Sequence, residues 1–364
     1  MIHSTYVGLD VHARSICASA LVVETGEVAR CSFGYDADAV AEWCRSLPQP
    51  VKCVYESGPT GFDLQRKLEA AGVPCVVGAV SKMIRPAGDR VKTDRRDAAF
   101  LARMLAVGNV VEVRVPTEAQ EAARDLARAR EDCREDLMRA RHLLSKFLLR
   151  KGIVYDAGKT AWTKAHRAWL RGLEFGDPNE RLVFDEYLAG VEALEQRRGR
   201  LDRAISEQAA LPEWSPTVER LSALRGISTL TAFSIAAEVG DFSRFPNARS
   251  FMSYVGLVPS ESSSGESVSR GQITKTGNEH VRRLLVESAW AHSRKWSPAL
   301  ETERERTSAL PPRQAERARK ANRRLHERYA ALEARRKQPN VVKVAVAREL
   351  AGFVWALAAM AQAE

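Results

Sequence analysis

Residues 5–80 alternate short β-rich runs with amphipathic helical patterns, and this alternation narrows the possible folds more than any other feature of the chain. "TYVGLDVHA", "SICASALVV" and "VARCSFG" are rich in β-branched and small apolar residues, and the last two are joined by the turn-like "ETGE". Three such runs in succession predict an antiparallel meander. A helical pattern ("DADAVAEWCRSL"), a strand ("VKCVYES"), a second helix ("FDLQRKLEAAG") and a further strand ("PCVVGAV") follow. A meander continued by alternating helix and strand predicts an α/β unit with a mixed sheet.

Beyond residue 115 the texture changes to charged helix. Leu126, Cys133, Leu137, Leu144 and Phe147 fall at heptad-like spacings, and Val191, Leu194, Leu201 and Ile205 repeat the pattern after a break. Two long helices in an antiparallel or dimeric coiled coil are expected. Between them, Trp162 and Trp169 stand seven apart among basic residues. Their expected role is core or dimer packing, with stacking on nucleic-acid bases as the alternative. From 217 a compact helical region begins with "VERLSALRGISTLTAFSIAAEVG", in which Arg225-Gly226-Ile227 forms the turn of a helix-hairpin-helix-like element or a plain helical hairpin. At 364 residues the chain has room for two or three domains. The boundaries expected are 1–114, 115–212 and 213–364.

Composition narrows the function. The net charge of +10 points to a polyanionic partner, although solvated surface charge would serve equally. Residues 301–340 carry 12 Lys/Arg against 6 Asp/Glu, as expected of an inserted nucleic-acid arm or of a charged helix. The longest apolar run, "LAGFVWALAAMA", falls short of a membrane span and reads as a buried helix. The six cysteines stand singly with no CxxC pair, which argues against a zinc knuckle or a disulfide framework and for packing residues in a reducing compartment. With no signal peptide, a cytoplasmic, nucleoid-associated protein is expected.

The chemistry-bearing candidates are acidic. Asp10 interrupts the first apolar strand, where a carboxylate is expensive unless something satisfies it. Glu56 terminates the first strand after the meander, at the end where α/β sheets place their sites. Asp94 and Asp97, three apart in "VKTDRRDA", share one face of the helix that follows. Taken singly, Asp94 is an N-cap candidate and Asp97 suits the helix dipole. Four converging carboxylates would repel one another unless divalent cations such as Mg²⁺ lay among them, the device used for phosphodiester chemistry. Arg95 and Arg96 would then meet the nucleic-acid backbone.

"YVGLDVH", "YESGPTG" and "VKTDRRDA", in this order, resemble the RuvC-like, RNase H-like domain of DEDD transposases of bacterial insertion sequences, the family numbered one-ten. "RFPNARSFMSYVGLVPSESSSGESVSRGQITKTGNEHVRRLLVESAW" is similar to that family's C-terminal transposase domain. The resemblance covers nearly the whole chain apart from the basic segment at 300–340. It implies that Asp10, Glu56, Asp94 and Asp97 form the metal-binding tetrad. It implies further that Ser264, followed by Gly265 in the loop after "GLVP", is a nucleophile acting in DNA strand exchange. With no histidine close to it in sequence, that serine would be activated by metal held on the other domain or on a partner subunit. Joining DNA to serine would conserve bond energy, which agrees with the absence of a GxxxxGK[ST] phosphate loop.

The same resemblance implies a structured bridge RNA as guide, donor and target DNA as substrates, a homo-oligomeric assembly (dimer or tetramer), and a linker serving assembly and RNA binding. Arg270, Lys275, Arg282 and Arg283 are phosphate-contact candidates, the last two on a helix that Asn278 would cap. Two other functions compete: a metal-dependent junction endonuclease using water alone, and a non-catalytic nucleic-acid-binding protein. An actin-like sugar kinase would need a glycine-rich phosphate hairpin after "GLD", which this sequence lacks.

Overall fold

The computed structural model describes residues 4–79, 93–158, 160–264, 267–297 and 299–360. The chain forms two compact units, residues 1–116 and 117–364.

Among the described residues, the first unit is a six-stranded sheet with helices on both faces. Strands β1 (Thr5–Val11), β2 (Ser15–Val22) and β3 (Val28–Gly34) form the antiparallel meander. Helix α1 (Ala37–Ser46) leads to β4 (Val51–Glu56), which pairs parallel to β1. Helix α2 (Asp63–Ala70) leads to β5 (Cys75–Gly78), parallel to β4. Helix α3 (Asp94–Ala106) precedes β6 (Glu112–Val113), a two-residue strand antiparallel to β5 that the sequence pattern did not announce. The resulting order, β3-β2-β1-β4-β5-β6, is consistent with an RNase H-like plan.

The period of two along each strand sorts side chains between the two faces. Val7 and Leu9 of β1, Cys53 and Tyr55 of β4, and Cys75 and Val77 of β5 are buried in one cluster with Val40, Cys44, Leu64 and Leu68 of α1 and α2. The opposite face takes Tyr6, Val54 and Val76, which pack with Leu101 and Leu105 of α3. At Gly8 the strand and helix backbones meet. A Cβ built there would lie 2.0 Å from the Ala98 carbonyl oxygen and 2.5 Å from the Ala102 nitrogen. Only glycine permits this approach.

The second unit is predominantly helical. Helices α4 (Glu118–Arg150) and α6 (Pro178–Ala209) lie side by side in opposite directions: Arg130 pairs with Asp202 at 2.8 Å, and the Cys133 thiol donates to the Leu194 carbonyl. Where the pair ends, α5 (Lys164–Arg171) closes a small core of Leu144, Phe147, Leu170 and Phe184. Trp162 and Trp169 border this core and pack on His166, which supports packing over base stacking as their role.

Among the described residues the remaining α-helices are α7 (Ser215–Ser222), α8 (Thr229–Val239), α9 (Ala248–Tyr254), α10 (Glu279–Ala289), α11 (Glu301–Ser308), α12 (Pro312–Ala334) and α13 (Pro339–Ala359). A hairpin of β7 (Pro259–Ser264) and β8 (Ser267–Ile273) interrupts them. Helices α7 and α8 join through Gly226, and the Ser228 hydroxyl caps α8 by accepting from Thr231 N at 3.2 Å. The apolar run near the C-terminus lies in α13, where Val346, Leu350, Val354 and Leu357 are fully buried. No helix among the described residues is long and apolar enough to cross a membrane. All six cysteines are free thiols, and four of them, Cys44, Cys53, Cys75 and Cys133, are buried.

Glu238 of α8, only 1% exposed, joins three helices. It accepts from Arg128 of α4 at 2.7 and 3.2 Å and from Asn278 at 2.8 Å. Asn278 also caps α10 as expected, its Oδ1 accepting from Val281 N. Burial opposes ionisation of Glu238, but the hydrogen bonds from Arg128 and Asn278, with the charges of Arg128 and Arg124, outweigh it and hold the carboxyl below the usual glutamate range. Removing one partner of a buried pair leaves the other charge uncompensated, at a cost of 3–5 kcal/mol. Because Arg128 is half exposed, Glu238→Ala is expected to destabilise the second unit by about 3 kcal/mol, the lower end of that range, measured by denaturant unfolding. A depressed carboxyl contributes stability that is present above its unfolded pKa, roughly 4.3, and is lost as pH falls through the folded value. Glu238→Gln should therefore flatten the acid limb of the stability profile.

Candidate active site

The first unit gathers acidic side chains where β1, β4 and α3 meet. Asp10 shares its face of β1 with Gly8 and Tyr6, and Glu56 shares its face of β4 with Val54. In the parallel register Gly8 opposes Val54 and Leu9 opposes Tyr55. Extending the alternation by one residue brings Asp10 and Glu56 onto the same face at neighbouring strand ends, the face that α3 covers.

The close approach at Gly8 sets the height of α3 above the sheet, and the first turn of α3 sets the direction of its carboxylates. Thr93, with extended backbone, is the N-cap: its hydroxyl accepts from Arg96 N at 3.4 Å. Asp94 is therefore the first helical residue and not the cap, a correction to the simplest expectation for "KTD". With the capping role taken by Thr93, the Asp94 side chain is available to the cluster. Asp97, one turn on, is 8% exposed.

His12, which sequence reasoning passed over, completes the group. Its Nε2 lies 3.4 Å from Asp10 Oδ2 and 3.5 Å from Asp94 Oδ2. One ligand atom from each of Asp10, His12 and Asp94 falls within 4.8 Å of the others. The signal was present in the sequence: two residues after Asp10, His12 has the spacing that places strand side chains on one face. An open cleft of about 340 Å³ lies alongside, lined by Val11, His12, Ala13, Tyr35, Pro59 and Thr60.

The electrostatics reflect the crowding. Burial pushes the Asp10 carboxyl above its usual range. His12 opposes the shift, and the charges of Asp94, Asp97 and Glu56 add to it. The other three candidate carboxylates thus act on Asp10 through space. A cation would relieve this repulsion. The donor set, carboxylate oxygens with one imidazole, fits a hard or borderline divalent ion. Arg95 and Arg96 stand exposed in the first turn of α3.

The second unit holds the other candidates. Ser264 is the last residue of β7, paired with Ser267 across the hairpin, where the sequence led us to expect a loop. The reason is cross-strand pairing: Ser262 and Ser263 align with Ser269 and Val268, so the serine run completes a ladder that its composition does not announce. Gly265, which singles out Ser264 among three consecutive serines, lies outside the described residues. Arg270 sits in β8 opposite Glu261.

The base of the hairpin is held by tight backbone packing. Gly277 has φ +77°, and a Cβ there would come within 1.9 Å of the Tyr254 carbonyl oxygen. Arg282 donates to the Val255 and Thr276 carbonyls at 3.1 and 3.2 Å. Arg283 pairs with Glu131 at 2.7 Å and Glu287 at 2.8 Å. Both guanidiniums are thus engaged within the fold, whereas Lys275 is exposed.

A family model for a transposase of the IS110 DEDD type matches residues 7–152, spanning the acidic cluster. A second model, described as the transposase IS116/IS110/IS902 family, matches residues 218–304, spanning the serine hairpin. These matches define the class as an insertion-sequence transposase.

The protein y4qE of Sinorhizobium fredii, named as a transposase, is 42% identical over 307 residues, covering 84% of this chain and 74% of that one. The transposase for insertion sequence element IS1533 of Leptospira borgpetersenii is 32% identical over 350 residues, covering 93% and 99%. A family 20 transposase of Pseudomonas aeruginosa is 26% identical over 260 residues, covering 69% and 74%. The chain belongs to the IS110 family of transposases.

Proposed function

We propose that the chain moves its insertion sequence by cutting and rejoining DNA strands, with divalent metal held by Asp10, Glu56, Asp94 and Asp97 and with Ser264 as nucleophile. The observation that carries this reading is the convergence on Asp10: His12 and Asp94 within metal-ligating reach, and Asp97 and Glu56 close enough to raise its pKa. A divalent ion bound there, Mg²⁺ in the simplest case, would supply charge neutralisation at the scissile phosphate and polarisation of an attacking hydroxyl.

The protein's own groups divide the remaining work. Thr93 and Gly8 orient the carboxylates by fixing α3. The Ser264 hydroxyl exchanges one phosphodiester for another, so the strand can be rejoined without an external energy source. Lys275 and Arg270 contact backbone phosphates beside the serine. A structured RNA encoded by the element guides the choice of donor and target, held by charge and shape, and the assembly is a homo-oligomer joined through the long helices.

His12 joins the metal set as an imidazole donor, which favours Mn²⁺ relative to Mg²⁺. His12→Ala is expected to weaken Mn²⁺ binding about tenfold or more while leaving Mg²⁺ binding nearly unchanged. Spin-resonance titration of Mn²⁺, with Mg²⁺ as competitor, reads this directly. Unchanged Mn²⁺ binding in His12→Ala would remove His12 from the metal set.

The decisive experiment traps the covalent step. Incubated with its own flanking DNA and divalent metal, the wild-type chain should give a protein–DNA adduct that Ser264→Ala lacks. An adduct that persists in Ser264→Ala moves the nucleophile to Ser262 or Ser263. Cleavage with no adduct in any variant makes the protein a metal-dependent endonuclease acting with water. The guide is tested by co-expressing the protein with its flanking DNA and sequencing the RNA retained through a high-salt wash. A single structured RNA mapping beside the gene is expected, and a heterogeneous population would exclude a dedicated guide.

A further inference from the structure

Helix α12 lies in the basic segment that the family resemblance leaves uncovered. One face is embedded in the core of the second unit: Ala318, Ala321, Asn322 and Leu325 are fully buried. Asn322 bridges to the start of the α7–α8 turn, accepting from Arg225 N at 2.9 Å and donating to the Ala223 carbonyl at 3.0 Å. The helix is therefore a fixed rod and not a loose arm, and its outward face is held at a set position.

That outward face is strongly basic. Between Pro312 and Lys337 the sequence carries ten Lys/Arg against three Asp/Glu. Arg313, Arg317, Lys320 and Arg324 recur at intervals of four, three and four, so they form one stripe, roughly 17 Å long at the helical rise. An ordinary solvated helix spaces opposite charges at i and i+4, and α12 does so at Glu316–Lys320 and Arg323–Glu327. It also places like charges four apart at 313/317, 319/323, 320/324 and 324/328. Such pairs oppose helix formation. Arg324 is compensated by Glu349 of α13, but among the described residues Arg313 and Arg317 meet no carboxylate. A rigid stripe of mutually repelling, exposed cations is complementary to a polyanion.

We infer that the Arg313–Arg317–Lys320 stripe of α12 is a docking surface for the phosphate backbone of duplex DNA, independent of base sequence. Duplex DNA is the occupant because the chain is a transposase and a straight rod of fixed charges matches a regular array of phosphates. The inference rests on the proposed reaction only in taking DNA as substrate, and its test is made in chelator with no chemistry required.

Binding of the full chain to a duplex of unrelated sequence is measured by fluorescence anisotropy across a salt series. Each phosphate contact contributes a slope of about −0.9 to log K against log salt. The triple variant R313Q/R317Q/K320Q keeps good helix formers at exposed sites and is expected to lower that slope by about 2.7, three contacts' worth. Glu316→Lys, which turns the one acidic interruption into a cation, should steepen it. Unchanged slopes in both variants, with helical content retained, overturn the proposal. A slope change seen with a structured RNA and not with duplex DNA overturns it equally, by making RNA the occupant.

Discussion

Asp10→Asn is expected to lower strand exchange by at least about 10³-fold, the scale on which loss of a group acting at the reacting centre falls. At the same time it should raise the melting temperature of the chain in chelator. Both effects have one cause. Asp10 is half-buried and faces three other acidic side chains, and its carboxyl is raised first by burial and then by their charges. A carboxyl raised in the folded state has its stabilising share below its unfolded pKa and loses it as pH rises through the folded value. At neutral pH an ionised Asp10 therefore destabilises the fold, and the neutral isostere removes that penalty. Stability given up for a charged site is a familiar trade-off. Adding Mn²⁺ should raise the wild-type melting temperature and leave Asp10→Asn nearly unmoved. A variant that melts lower than wild type in chelator would show that Asp10 serves the fold and not a metal.

Gly8→Ala should be as damaging by a wholly different route. The added methyl would lie 2.0 Å from the Ala98 carbonyl oxygen, 2.5 Å from the Ala102 nitrogen and 2.9 Å from Leu101 Cβ. Two of these three are helix backbone, so no side-chain rotation relieves the clash and α3 itself must shift. Overpacking costs 1–3 kcal/mol where side chains can adjust, so we expect about 3 kcal/mol or more here. Because Asp94 and Asp97 travel with α3, the variant should also lose its Mn²⁺ response. Hydrogen exchange should quicken in α3 amides while α1 and α2, on the opposite face, change little. Gly34→Ala, whose Cβ would meet nothing within 4 Å, is the control and should fall within about 0.5 kcal/mol of wild type. Equal effects at the two glycines would remove the close approach as the explanation.

The contrast between these residues shows which features the sequence could carry. The meander, the parallel strands and the long helices were legible because each is declared by a local period, two or 3.6, set by backbone geometry. Asp10 and Glu56 stood out for the same reason: each breaks an apolar strand pattern. The buried C-terminal helix was legible from its length and its lack of charge. The two-residue β6 and the serine hairpin were not, because neither has enough residues of β-forming type to signal itself and both exist through pairing with a partner strand.

What the sequence determined alone was therefore the order of the longer strands and helices and the list of chemically expensive carboxylates. The tertiary structure decided the rest: Thr93 and not Asp94 caps α3, His12 joins Asp10 and Asp94, Glu238 holds Arg128 and Asn278 in the helical unit, and α12 buries one face while exposing its cations. Apart from the Thr93 cap and the His12–Asp10 pair, these arrangements depend on contacts between residues remote in sequence. Their free energies depend on distances of a few ångströms that no local pattern encodes, because only the packing of one backbone against another, as at Gly8, sets them.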